Sequence, residues 1–109
     1  MTMSPLRSRI YPFHRTENRI PMEIGCYLEG NRQVPGAEAT FTENVSAKGA
    51  RVVSVRKWEQ DDKLVFSSHN GEFRTSARVA YCQPLQGDGF AIGVEFLDTK
   101  GRWIVQNAR

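Results

Sequence analysis

Two short stretches of the chain hold the residue types that could recognise a ligand. In Arg15-Thr16-Glu17-Asn18-Arg19 two arginines stand four residues apart, just ahead of the first alternating apolar run. That spacing puts them on one face whether the segment is helical or extended. Each guanidinium is a planar fork of donors matched to phosphate oxygens or to the O6/N7 edge of guanine, and its flat face stacks on a base. Taken alone, the pair is also what a solvated basic tail presents.

The second stretch is Glu43-Asn44-Val45-Ser46-Ala47-Lys48-Gly49-Ala50. On an extended chain Asn44 and Ser46 point the same way, and Gly49 permits a tight turn after them. An amide, a hydroxyl and exposed backbone amides would then converge. The same residues are ordinary turn formers, so the stretch also reads simply as a turn. Asn44-Val45-Ser46 spells a glycosylation sequon, which is discounted because nothing in the sequence routes the chain to a secretory compartment.

Other chemistry is thin. His14 and His69 are far apart, and Cys26 and Cys82 form no CxxC pair, so neither a metal site nor a disulfide is expected and the thiols are read as facing a core. Glu59, Asp61 and Asp62 cluster in a polar connection where solvated acids are routine. Trp58 in that connection has two open roles, a lid folded onto the protein or part of a partner interface.

These groups need a scaffold, and composition sets its scale. The 109 residues suit one small domain with one core. A hydrophobic fraction of 39% with 25% charged residues is that of an ordinary globular protein. The net charge of +3 favours an anionic partner but falls short of the basic stripe of a duplex binder. No apolar run approaches the roughly 20 residues that span a bilayer, and no signal segment is recognisable, so a cytoplasmic protein without membrane insertion is expected.

Alternation supplies the elements. Met22, Ile24, Cys26 and Leu28 share one side of a first strand. Ala37, Ala39 and Phe41 are expected on the inner face of a second, and Ala50–Val55 and Asp62–Ser68 make the third and fourth. Asn70-Gly71 marks a hairpin into the fifth strand, which places Phe73, Thr75, Ala77, Val79 and Tyr81 inward. Phe90, Ile92, Val94 and Phe96 repeat the pattern in a sixth. Six amphipathic antiparallel strands hide their inner faces and edges by closing into a small β-barrel. A short C-terminal helix, capped by Asp98 or Thr99, would bring Trp103 and Ile104 over one barrel end. Residues 1–14 read as a flexible basic arm and 15–109 as the barrel domain.

The ordered pair of stretches, RxxxR at Arg15 to Arg19 and then NxSxxG at Asn44 to Gly49, resembles the PilZ domain family, bacterial receptors for cyclic di-GMP. Gly49-Ala50-Arg51-Val52 and the late Ile92–Asp98 run are similar to the family too, and the likeness covers nearly the whole chain. The resemblance implies an all-β fold, a six-stranded antiparallel barrel with a C-terminal helix, in agreement with the alternation. It implies that Arg15 and Arg19 grip phosphate and guanine, that Asn44 and Ser46 hydrogen-bond the ligand, and that Gly49 shapes the turn. His14 stands where many members carry a further arginine and is the remaining candidate contact. The ligand carries two phosphates and two guanines, so forks, stacking planes and an amide oxygen are the groups it needs.

The leading expectation is therefore a small non-enzymatic receptor with no cofactor, whose arm wraps onto the barrel when cyclic di-GMP binds and whose altered surface engages a downstream protein. Motility, exopolysaccharide or biofilm formation would be the output, and the protein would be a monomer or weak homodimer. A PilZ-like protein-interaction adaptor that binds no nucleotide is the first alternative. The second is a barrel that binds single-stranded nucleic acid, which would need aromatics between basic residues on an outer face, whereas most here alternate inward.

Overall fold

The computed structural model describes residues 18–98 and 103–104. Seven strands follow one another: β1 (Ile20–Pro21), β2 (Gly25–Glu29), β3 (Ala37–Ser46), β4 (Gly49–Ser54), β5 (Lys63–Ser68), β6 (Arg74–Pro84) and β7 (Phe90–Phe96). The order β3-β2-β5-β6-β7-β4, closed by pairing of β3 with β4, makes a six-stranded antiparallel barrel, and β1 adds to β3. The expected architecture is thus present with one extra strand. Pro21 is confined to that two-residue edge, where its missing N–H disrupts no ladder.

Two indoles close the barrel. At the end where β3 turns into β4, buried Trp103 packs among Phe66, Phe73 and Phe96 with ring centroids 4.9 to 5.5 Å away, and its Nε1 donates to the Ser46 carbonyl at 2.7 Å. At the opposite end Trp58 folds back from the β4–β5 connection, is 1% exposed, and donates from Nε1 to Ser54 Oγ at 3.0 Å. Both place a large ring in the core with its one polar atom satisfied. Of the two roles open to Trp58, the lid is the one observed. Trp103 covers the barrel end as expected, but Ile104 is exposed and neither residue is helical. The remainder of the expected helix, and the arm 1–14, lie outside the described residues.

Two β-bulges correct the alternation. Between β3 and β4, Thr42 pairs with Val52 and Asn44 with Arg51, which leaves Glu43 as an extra residue. Counting back from buried Val45 in steps of two puts Phe41, Ala39 and Ala37 inside. The bulge reverses that phase, so Glu38, Thr40 and Thr42 turn inward and Phe41 is 40% exposed. The inward polar groups are satisfied. Thr42 Oγ1 donates to the Met22 carbonyl and accepts from Ile24 N, and the Glu38 carboxylate accepts from Ser54 Oγ and Val55 N. Between β6 and β7, Val79 pairs with Val94 and Tyr81 with Gly93, so Ala80 is the extra residue. Tyr81 consequently leaves the inner face expected for it, and Cys82 packs against the core instead. Cys26 and Cys82 are free thiols.

The Asn70-Gly71 turn joins β5 to β6 as expected, though only Gly71 adopts positive φ. Asn70 instead fastens the loop through its side chain, its Oδ1 accepting from Ser68 Oγ and Glu72 N.

Candidate functional site

The two bulges matter because they aim side chains at one strip of the outer surface. Cross-strand pairing sets Asn44 on β3 beside Arg51 on β4, Arg51 beside Gly93 on β7, and Gly93 beside Tyr81 on β6. Paired residues on one face have Cβ atoms about 4.5–5.5 Å apart, so the four positions form a continuous row around the barrel. Gly93 is the gap that lets the row close. A Cβ there would stand 2.2 Å from Tyr81 Cε2, so the ring occupies the space a side chain would fill. From that place Tyr81 meets Arg51, whose Nη1 donates to the phenol at 3.1 Å and whose guanidinium carbon lies 5.7 Å from the ring centroid.

At the other end of the row Arg19 Nη1 donates to Asn44 Oδ1 at 2.8 Å. The two sequence stretches, 25 residues apart at this contact, therefore meet in space. Arg15 and His14 lie outside the described residues. Ser46 does not share the exposed surface with Asn44: it is fully buried, and its Oγ lies 3.4 Å from the Gly49 carbonyl that accepts from it. Gly49 has no positive φ, so the turn does not demand glycine for that reason. Close approach demands it, since a Cβ would fall 2.3 Å from the Val94 carbonyl oxygen.

Electrostatically the row carries Arg51 as an oriented cation, with Arg19 at its Asn44 end. Arg51 Nε donates to Glu43 at 2.7 Å and Nη1 also to Gln83 Oε1 at 2.9 Å. Partial burial disfavours its charge, but the bonds to Glu43 and Tyr81 outweigh that and hold its pKa above the ordinary arginine value. Arg78, elsewhere on the barrel, is raised too, by its bonds to Glu95 and Asp61, which engage it on both sides. A cleft of about 420 Å³ on β6 and the β4–β5 connection, reaching Tyr81, Trp58, Pro84 and Phe90, offers one cation, Lys57, beside the carboxylate of Glu59. For an anion with several acceptors the arginine row is the better match.

Sequence reasoning missed Arg51 and Tyr81. Arg51 was visible as part of the Gly49-Ala50-Arg51-Val52 run, but Tyr81 carried no signal because unbroken alternation places it inside. Among the described residues no group of His, Cys, Asp and Glu could hold a metal ion, and no helix is long and apolar enough to cross a membrane. The family model for the PilZ domain matches residues 13–102, a span that includes both stretches and every strand of the barrel. No curated protein gives a significant match.

Proposed function

Because the chain belongs to the PilZ domain family, a family of cyclic di-GMP receptors, we propose that it binds cyclic di-GMP on the barrel face that carries Asn44. The observation that carries this reading is the 2.8 Å contact from Arg19 to Asn44, which joins the two halves of the signature at one point of the surface. In the proposed complex Arg15 and Arg19 supply forks to a phosphate and a guanine edge. The Asn44 amide faces guanine N1–H and N2–H, and Ser46 and Gly49 contribute through the β3–β4 turn. His14 adds a contact when protonated. Ligand binding would exchange the Arg19–Asn44 bond for bonds to the nucleotide.

The protein works by binding, as PilZ domains do, and needs no catalyst for that role. Its output would pass to a downstream protein in the cytoplasm, with motility, exopolysaccharide or biofilm formation as the end result. Calorimetric titration of the purified chain with cyclic di-GMP tests the proposal. Saturable binding that Arg19→Ala weakens supports it. Absence of binding favours the adaptor reading, and displacement of the dinucleotide by single-stranded oligonucleotide with a steep salt dependence favours the nucleic-acid reading.

A further inference from the structure

The bulge at Glu43 does more than reset the strand: it sets two β3 residues, Glu43 and Asn44, against Arg51. Asn44 receives Arg19, and Glu43 receives Arg51. Two arginines and one carboxylate thus surround a neutral amide, leaving one net positive charge. Arg51 is also held in place. Tyr81 and Gln83 accept from the same Nη1, and the tyrosine ring supports the guanidinium, so its fork is oriented before any ligand arrives. Among the described residues no partner is found for Nη2. Arg78 differs, because Asp61 and Glu95 take Nη1, Nη2 and Nε together.

We propose that Arg51 is a further anion contact of this site, held in reserve by Glu43, and that Glu43 sets ligand affinity by competing with a ligand phosphate for it. This rests on the receptor reading above. A phosphodiester reaching Asn44 from the Arg19 side comes within one cross-strand spacing of Arg51 and meets the Nη2 edge of its guanidinium. Its charge then stands beside that of Glu43. The Glu43 side chain is 38% exposed and turns to solvent at little cost, whereas Arg51 keeps its tyrosine support. Charge on the protein is therefore rearranged on binding, with the Glu43 side chain released at the rim of the site.

The test is calorimetry with cyclic di-GMP on the full chain and on Glu43→Gln, Arg51→Gln, Arg51→Lys and the Glu43→Gln/Arg51→Gln pair, with thermal denaturation of each. Glu43→Gln should bind about three- to tenfold tighter, with a gain that shrinks as salt is raised. Arg51→Gln should bind about tenfold or more weakly, and in the pair the gain from Glu43→Gln should vanish. Arg51→Lys keeps charge without the fork and should fall between. Should Arg51→Gln fail to fold, Glu43→Gln and Arg51→Lys still decide the matter. Binding that Arg19→Ala weakens but that the Glu43 and Arg51 variants leave unchanged overturns the Arg51 inference alone. No binding by the unaltered protein overturns the receptor reading and this inference together.

Discussion

The Tyr81 ring covers Gly93 so closely that a Cβ on Gly93 would be 2.2 Å from ring carbon Cε2. Glycine here is a matter of space, since Gly93 has no positive φ. Gly93→Ala must push the ring aside, and overpacking of this kind costs about 1–3 kcal/mol. The expected result is a lower melting temperature together with loss of the Arg51–Tyr81 contact. A Gly93→Ala protein as stable as the parent would show that the ring moves freely.

Replacing Arg19 by Ala should weaken cyclic di-GMP binding by about ten- to a hundredfold, the measure of one charge-assisted contact, with little change in stability because its bond to Asn44 is solvent-exposed. Arg15→Ala should behave alike. Arg19→Lys should recover only part of the affinity, because the ammonium lacks the fork and stacking plane. Full recovery by lysine would reduce the role of Arg19 to bare charge.

Gly49 and Gly71 should respond differently to alanine. At Gly71, φ is +80° with nothing within 4 Å of a Cβ, so Ala pays only the left-handed backbone cost of roughly 1–2 kcal/mol. Gly49 meets a backbone oxygen that cannot rotate away, so Gly49→Ala should cost about 2 kcal/mol or more and disturb the β4–β7 pairing. Asn at 71 should restore most of the loss, since asparagine tolerates αL, and Asn at 49 should not. Chemical denaturation of the four variants checks the order.

Burial pushes the Cys26 thiol up to about 12, with the nearby Glu38 carboxylate adding to the effect. Because the folded value is raised, the associated stability is fully present below the unfolded pKa near 9 and is lost as pH rises from there toward 12. The decline in stability over that range should be shallower in Cys26→Ala. In the folded protein at mildly alkaline pH, alkylation should label half-buried Cys82 and spare Cys26, and both should react in denaturant. Rapid labelling of Cys26 in the native state would contradict its placement in the core.

The sequence by itself determined the six barrel strands, their closure and the ordered pair of signature stretches, but not the extra strand β1. Alternation of apolar residues is a local property that each strand carries in its own residues, as in Cys26 and Leu28 or Ile92, Val94 and Phe96. Closure follows from the need to hide six such faces and their edges. Tertiary structure decided the phase at the two bulges. An extra residue at Glu43 or Ala80 leaves composition unchanged and shows only when the partner strand is in place, so Phe41 and Tyr81 turned outward against their local pattern. It also decided that Trp58 is a lid, and that Ser46 is buried while Asn44 faces Arg19. The Arg51–Tyr81 pair spans 30 residues and two strand crossings, and no periodicity connects them. Only the ring of strands β4, β7 and β6, with the missing side chain at Gly93, brings that guanidinium and that phenol to one place.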